Sequence, residues 1–204
     1  MAKVISEAQR RLNKSLHEGR EDFGNRADGA GVAGHLSEAV KRMHELGVCS
    51  SVLDYGTGKG TLVTHRKSEP PPTSTVRGYD PSVEACEEKP TEQSDIVVCL
   101  DVLEHIEMES IDAVIQDIKE LTRNFSYIVI DLQPAVKRLD DGRNAHILLA
   151  PPDWWVTKFS QTFPCVTAFP IYHEAGLPQK IVLGCAHKTS VLPFLNSSNK
   201  SFAK

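Results

Sequence analysis

The sequence predicts an α/β fold built on a mostly parallel sheet, and two observations carry this prediction. Apolar runs rich in β-branched residues alternate with segments whose apolar residues recur at helical spacing, and this alternation is typical of parallel sheets. At 204 residues, of which 40% are hydrophobic, the chain is also long enough for one domain with a full core.

The first part of the chain predicts two helices and a strand. Residues 1 to about 30 are polar and amphipathic, and the glycine-rich segment DGAGVAG at their end is interpreted as a loop that closes over a pocket. From Leu36 the pattern LSEAVKRMHELG has helical spacing, and Gly47 stands where a C-cap glycine belongs. The segment SVLDY is an apolar strand that runs directly into glycines.

The middle of the chain continues the alternation. The successive prolines of KSEPPPTST remove backbone donors and fix φ, so this segment predicts a surface loop before the short strand VRGYD. The segments DIVVCLD and YIVIDL are apolar and β-branched, which is typical of buried parallel strands. Between them, SIDAVIQDIKELTRN predicts a helix that Ser110 opens.

The last part of the chain predicts one helix and two antiparallel strands. The helix is PPDWWVTKFSQTF, and the strands CVTAFPIYHE and QKIVLGCAHK are separated by the turn-rich AGLP. We expect one domain over residues 1–188, in which residues 1–34 form the N-terminal helix and a candidate lid. The polar segment 189–204 is expected to be a disordered tail.

Charge and cysteine content narrow the classes of function. A net charge of -4 disfavours a surface for duplex nucleic acid, which needs clustered Lys and Arg in excess. The five cysteines lack C-x-x-C spacing and predict reduced thiols in the cytoplasm. There is no signal-peptide core and no apolar run near the ~20 residues that span a bilayer. We therefore expect a soluble, cytoplasmic protein without a membrane partner.

The glycines of VLDYGTGKG follow a predicted strand, where glycine lets the backbone turn tightly and approach a ligand. A P-loop is excluded because Lys59 is followed by Gly60 instead of Ser or Thr. A dinucleotide fingerprint is incomplete because its last position is Thr61. What remains is an acidic residue, Asp54, two positions before G-x-G-x-G, and a second one, Asp80, at the end of VRGYD.

With these features the sequence resembles the class I S-adenosylmethionine-dependent methyltransferases. The resemblance implies a Rossmann-like sheet with helices on both faces and a C-terminal antiparallel strand pair. It also implies that the glycine loop wraps the methionine and ribose of S-adenosylmethionine, and that the second acid accepts hydrogen bonds from the ribose hydroxyls. The candidate cofactor-binding residues are Asp54, Gly56, Gly58, Gly60, Asp80 and Asp101.

Two points qualify this resemblance. The segment PSVEACEEKPTEQS, which follows Asp80, is too short for the usual helix and third strand, so we expect the third strand to be short or missing. From the residues alone, an alternative remains in which Asp54 caps a helix and the glycines only turn the chain.

The segment DIVVCLDVLEHI ends a predicted strand with an acidic residue, at the edge where ligands bind in parallel sheets. If residues 101–105 form a helical turn, Asp101, Glu104 and His105 lie on one face. Two carboxylates and an imidazole are half of a site for a hard divalent cation, and His146 of DGRNAH follows the next strand to the same rim. These four residues are the candidate ligands for Mg²⁺ or Mn²⁺.

The same segment resembles two methyltransferase groups, the small-RNA 3′-terminal 2′-O-methyltransferases and the ubiquinone-biosynthesis O-methyltransferases. In both, E-x-x-E-H holds a divalent ion beside the hydroxyl that is methylated, and the RNA enzymes add a later histidine. Asp101 stands here where those enzymes have Glu, and the implied candidate catalytic residues are His105, His146 and Asp101. Two alternatives remain open: either histidine acts alone as a general base, or Glu104 and His105 only bond backbone.

The loop DGRNAH and the tryptophan pair that follows it resemble bacterial and phage class I methyltransferases whose substrates are unassigned. Arg143 and Asn144 offer donors to a carboxylate, a phosphate or a sugar hydroxyl. Trp154 and Trp155 point to different faces of a helix, so one packs in the core and the other lines the substrate side. The candidate substrate residues are Arg143, Asn144 and Trp155.

The function that these features favour is O-methylation of a small molecule, sugar or nucleotide by S-adenosylmethionine, with assistance from a divalent metal. One alternative keeps the reaction and takes an RNA 3′ end as acceptor, and another is a non-catalytic S-adenosylmethionine-binding scaffold subunit. We expect a monomer or a homodimer.

Overall fold

The structure is a computed structural model that describes residues 4–19, 40–45, 47, 49–68 and 75–187. Its strands are β1 (Ser51–Tyr55), β2 (Thr75–Tyr79), β3 (Ser94–Leu100), β4 (Thr122–Asp131), β5 (Cys165–Tyr172) and β6 (Pro178–Ala186). They form a six-stranded sheet in the order β2-β1-β3-β4-β6-β5. Strands β1 to β4 are parallel, whereas β6 runs antiparallel to both β4 and β5.

The helices lie between the strands, as the alternation of periods predicts. They are α1 (Glu7–Gly19), α2 (Thr61–Ser68), α3 (Ile111–Leu121) and α4 (Pro152–Thr162), with 3₁₀-helices at Glu84–Cys86 and Leu103–His105 and a helical segment at residues 40–45. Gly47, just beyond that segment, has φ +70°, which is the left-handed conformation of a C-cap glycine. The predicted α/β fold, including its C-terminal antiparallel pair, is confirmed.

Two predicted boundaries are wrong. The helix that Ser110 precedes ends at Leu121, because Thr122 is already extended and begins β4, so the residues TRN belong to the strand. Helix α2 continues through Ser68, which places the start of KSEPPPTST in a helix instead of a loop. The central prolines of that segment, the candidate lid segment 20–34 and the tail 189–204 lie outside the described residues.

The short segment after β2 explains the order of the strands. In it the chain turns at Asp80, whose amide donates to the carbonyl of Cys86, and then enters β3 at Ser94 without a further strand. Strand β3 pairs directly with β1, so β2 is an outer strand of the sheet. The strand that usually follows β2 in this kind of sheet is therefore missing, which confirms the expectation that the third strand is short or missing.

The two faces of the sheet carry separate hydrophobic clusters. Successive residues of β3 point to opposite faces, so Val97 and Cys99 join one cluster while Ile96 and Val98 join the other. The first cluster includes side chains of α3 and α4, and the second includes side chains of α2 and of residues 40–45. Helices therefore cover both faces, as predicted, and the free energy of burying these apolar surfaces stabilises the layers.

The outer strand at the other end of the sheet is β5, which pairs with β6 alone in the described part of the chain. Its exposed half carries Phe169 and Pro170. Proline has no N–H, so it is tolerated in an outer strand, where its nitrogen faces away from the neighbouring strand. None of the helices in the described ranges is long and apolar enough to cross a membrane.

Candidate active site

A cleft opens at the carboxyl ends of the parallel strands, where ligands bind in open α/β sheets. Its wall on the sheet side comes from the loops after β1, β2 and β3, which contribute Gly56, Gly58, Asp80, Asp101 and His105. Its opposite wall comes from α1, and includes Asn13 and His17. Five of the residues predicted from two separate motifs thus line one cavity.

The glycine loop owes its shape to backbone conformations that favour glycine. Gly56 and Gly58 have φ of +73° and +55°. A Cβ on Gly56 would overlap with the side chain of Val102 from the loop after β3, so the two loops meet at this point. The amide of Gly56 also donates to the carbonyl of Tyr79 at 2.7 Å, which fixes the loop against the end of β2.

The second acid of the motif, Asp80, is buried but lines the cleft. Its Oδ2 accepts a hydrogen bond from the amide of Gly58 at 3.1 Å, and its Oδ1 accepts one from the amide of Ser82 at 2.9 Å. The Nε2 of His17 on α1 lies 3.8 Å from Oδ2. Amide donors thus fix the carboxylate, and each oxygen keeps capacity for a further donor from a ligand.

Asp54 and Gly60, the other two predicted members of the cofactor set, are not among the residues that line the cleft. Asp54 is fully buried, and its Oδ2 accepts a hydrogen bond from the Thr57 hydroxyl at 2.7 Å. Gly60 has φ +67°, and its carbonyl accepts from the Thr64 amide in the first turn of α2. Both residues shape the loop in this structure.

Asp101 adopts a conformation that the helical-turn prediction did not contain. The 3₁₀-helix begins only at Leu103, and Asp101 has φ +51°, the only positive φ of a non-glycine residue in the described chain. Its carboxylate points to Lys180 of β6, with 2.6 Å between Oδ1 and Nζ. The helical turn that would place Asp101 beside Glu104 and His105 is therefore not formed, and this acid does not join the next cluster.

The other three predicted ligands do converge. One ligand atom from each of Glu104, His105 and His146 lies within 4.8 Å of the other two. Glu104 is fully buried, and its Oε1 accepts a hydrogen bond from the amide of Asp131 at 3.1 Å. Its Oε2 is buried without a hydrogen-bond partner in the described residues. Burial, and then the charge of Asp101, raise the pKa of the Glu104 carboxyl to about 8.

Backbone carbonyls orient both imidazoles. His105 Nδ1 lies 2.7 Å from the carbonyl oxygen of Ala145, and His146 Nδ1 lies 2.5 Å from that of Gln133. A carbonyl only accepts, so each Nδ1 is the donor, and in the neutral rings Nε2 carries the lone pair. The rings meet edge to face with their centroids 4.9 Å apart.

This cluster fits a divalent cation. A buried carboxylate oxygen without a partner in the described residues and two imidazoles with defined tautomers supply three potential donors, one from each residue, within 4.8 Å of one another. Metal-binding histidines typically donate their second nitrogen to a backbone carbonyl, as His105 and His146 do here.

The predicted substrate residues have other partners. The side-chain amide of Asn144 is used within its own loop, because Oδ1 accepts from the amides of Ala135 and His146 and Nδ2 donates to the carbonyl of Ala135. Arg143 pairs with Asp141 and is exposed. Neither side chain lines the cleft.

Trp155 corrects the expectation for the tryptophan pair. Its side chain is fully buried in the cluster beneath α4, and only Trp154 is partly exposed, with Lys158 above its ring. The helix places Trp155 on the side that faces the sheet, so it contributes to packing and does not line the cleft.

Three residues of the site have no signal in the local sequence. His17 and Asn13 reach the cleft because α1 crosses it, and Lys180 reaches Asp101 because β6 pairs with β4. Hydrogen bonds from Arg10 to Pro81 and from Ser15 to Asp140 attach α1 to both rims. The sequence indicated only that α1 is an amphipathic helix, and it did not indicate which surface α1 packs against.

The sequence matches the methyltransferase-domain family over residues 9–168. This match covers most of the chain, so the chain belongs to that family. With the sheet and the glycine loop described above, it is a class I S-adenosylmethionine-dependent methyltransferase. No protein of curated function matches the sequence.

Solved structures of the same fold are distant in sequence. A 1,6-didemethyltoxoflavin-N1-methyltransferase of Burkholderia thailandensis is 17% identical, with a TM-score of 0.60 over 88% of this chain and 86% of that one. A complex of DhpI with S-adenosylhomocysteine is 15% identical, with a TM-score of 0.58 over 88% and 97%. The methyltransferase domain of the bacterial CtHen1 is 12% identical, with a TM-score of 0.56 over 76% and 100%.

Proposed function

We propose that the protein transfers the methyl group of S-adenosylmethionine to a hydroxyl of a small molecule, sugar or nucleotide, and that a divalent metal assists the reaction. The observation that carries this proposal is the buried, unpartnered Oε2 of Glu104 next to His105 and His146. A nitrogen nucleophile would not need an ion at that position, whereas a hydroxyl is a poor nucleophile near neutral pH.

The cofactor is proposed to bind along the glycine loop. Gly56 and Gly58 line the cleft, and Asp80 lies just after the adjacent strand β2. Its carboxylate is suited to accept hydrogen bonds from the two ribose hydroxyls. Asp54 and Gly60 are proposed to act indirectly, by holding the loop in shape.

The proposed metal ligands are Glu104, His105 and His146, and hydrogen bonds to the backbone orient each of these side chains. Asp131 and the two backbone carbonyls hold the carboxylate and the imidazoles in place. A divalent ion bound to them would lower the pKa of an acceptor hydroxyl beside the cleft. In the alternative without a bound ion, His105, which lines the cleft, is suited to accept the hydroxyl proton as a general base.

Calorimetric titration of S-adenosylhomocysteine tests the cofactor site. We expect micromolar binding by the wild type and loss of detectable binding by Asp80→Ala, because this change removes the proposed ribose acceptor. Asp112→Ala is the matched control, since Asp112 is exposed and ion-paired on α3, and it should bind like the wild type. Equal binding by all three proteins would contradict the proposed site.

An RNA 3′ end is the second candidate acceptor. The observation that favours it is the likeness of this fold to the CtHen1 methyltransferase domain and to a structure described as the small RNA methyltransferase HEN1 (TM-score 0.56). The net charge of -4 counts against it. Gel shifts with short RNA at two salt concentrations separate the candidates, because phosphate contacts give an affinity that falls with salt.

The five cysteines carry reduced thiols, which supports a reducing compartment, and on this basis we propose that the reaction takes place in the cytoplasm.

A further inference from the structure

Lys180 carries a positively charged side chain near the cluster of candidate metal ligands formed by Glu104, His105 and His146. Its Nζ lies 2.6 Å from Asp101 Oδ1 and 3.4 Å from Asp131 Oδ2. Asp101 follows β3 and Asp131 is the last residue of the neighbouring parallel strand β4. Asp131 also supplies the amide that donates to Glu104. The ammonium therefore pairs with Asp101, the acid that the sequence pattern had grouped with the metal ligands, and with Asp131, whose amide holds Glu104.

The sheet itself places this lysine. Residue Lys180 is paired with Asp131 of β4 on one side and with Ile171 of β5 on the other, so its backbone has little freedom. Its side chain is only 23% exposed, and although burial lowers its pKa, the three surrounding carboxyls raise it overall, so the ammonium is charged. Asp101 meets it from a backbone with positive φ, and the ion pair offsets this strain.

The pairing changes the donor set that remains for a cation. With Asp101 held by Lys180, the cluster offers one carboxylate and two imidazoles. Mg²⁺ prefers oxygen donors and binds through carboxylates and water, whereas imidazole donors favour later divalent metals such as Co²⁺. A site with two histidines and one carboxylate also leaves coordination positions open for a substrate oxygen.

We propose that Lys180 determines the metal specificity of this enzyme, because it keeps Asp101 out of the coordination sphere and leaves a site that selects Co²⁺ over Mg²⁺. The inference rests on the proposed function, in which a divalent ion binds at this site. It assigns a role to Lys180, which lies outside both sequence motifs that predicted the site. Removing the ammonium releases the Asp101 carboxylate toward the cluster, which adds an oxygen ligand and favours Mg²⁺.

The ratio of two affinities tests this role. Calorimetric titrations of Co²⁺ and Mg²⁺ into the wild type, after chelator treatment, should give much tighter binding of Co²⁺. In Lys180→Met the affinity for Mg²⁺ should rise by about tenfold relative to that for Co²⁺. The loss of a nearby positive charge alone would strengthen both ions alike and leave the ratio unchanged, so the ratio reports coordination by Asp101.

Three further variants complete the experiment. Lys180→Met combined with Asp101→Asn should return the ratio to the wild-type value, and Lys180→Arg should keep that value because it preserves the ion pair. Lys158→Met is the matched control, since Lys158 is also 23% exposed and ion-paired, but with Asp112 on α3. In Lys180→Met, the visible absorption of bound Co²⁺ should also change, because its coordination number rises.

Three results would overturn the inference. If the ratio in Lys180→Met equals that of the wild type, or if the wild type binds Mg²⁺ as tightly as Co²⁺, Lys180 does not set specificity. If the wild type binds neither ion, the metal site itself is absent and the inference falls with it. Titration of S-adenosylhomocysteine separates this last result from failure of the methyltransferase proposal, because the cofactor site does not depend on Glu104.

Discussion

Burial of the Glu104 carboxyl makes the stability of the metal-free protein depend on pH. The pKa of this group is raised from 4.5 to about 8, so the folded state binds a proton that the unfolded state has released. Stability from this group is therefore fully present below about pH 4.5 and is lost as pH rises toward about 8. Thermal unfolding in chelator should show this loss in the wild type.

A matched variant isolates the contribution of Glu104. Glu104→Gln keeps the oxygen that accepts from Asp131 but does not ionise, so its melting temperature should lack this decline. The difference between the two proteins cancels the titration of the histidines and other acids. A difference that stays constant from about pH 5 to about pH 9 would contradict the raised pKa.

Single residues were predictable where the signal is local. Gly56, Asp80 and His105 belong to short motifs at strand ends, and the geometry of a parallel sheet brings strand ends together. Lys180 was not predictable, because its approach to Asp101 depends on the pairing of β6 with β4 far along the chain. Trp155 was misplaced because a helical pattern does not say which of two adjacent large side chains faces the sheet.

At the scale of elements, α1 is the one whose loss should affect the site most directly. Beneath it Leu16 packs with Leu139 and Ala145 in a small cluster separate from the main core, and the polar contacts of α1 reach both rims of the cleft. A helix held by a small cluster and by polar contacts at its surface opens more easily than one in the main core.

Leu16→Ala should loosen α1 without unfolding the sheet. We expect local opening to become about 2 kcal/mol easier, because a buried leucine is truncated. Hydrogen exchange should speed up in α1 and in residues 137–146, and S-adenosylhomocysteine should dissociate several-fold faster. Leu177→Ala is the control, since Leu177 is exposed in the turn between β5 and β6. Unchanged exchange in α1 would contradict this function of the helix.

The kind of each element was predictable from its period, and its ends were less so. Alternation of apolar runs with helical spacing identified α3 and β4, but the helix passes into the strand at Thr122 without an intervening loop. No glycine or proline marks that junction in the sequence, so the predicted helix ran on for three residues.

At the scale of the molecule, the two clusters share the sheet, because neighbouring residues of each central strand belong to opposite faces. We propose that the described chain is one cooperative unit. Tryptophan fluorescence, which reports Trp154 and Trp155 at one cluster, and far-ultraviolet circular dichroism should give the same denaturant midpoint. Saturating S-adenosylhomocysteine should raise both midpoints equally. Separate midpoints would show that one layer unfolds independently.

The absence of an additional helix and strand between β2 and β3 was predictable from the length of the segment between Asp80 and Asp95, which is too short to hold them. The position of α1 across the cleft was not predictable. An amphipathic pattern shows that one face of a helix is covered, but it does not identify what covers it.

Pro170 in the outer strand β5 has a consequence for assembly. A second copy that added its own β5 to this edge would need backbone donors along the whole strand, and proline supplies none at the centre of its exposed half. Continuous sheets across two subunits are therefore disfavoured at this edge, so a homodimer that used this end of the sheet would have to associate through side chains, helices or loops. Such an interface would also leave the outer strand closed to the edge-to-edge stacking from which fibrils grow.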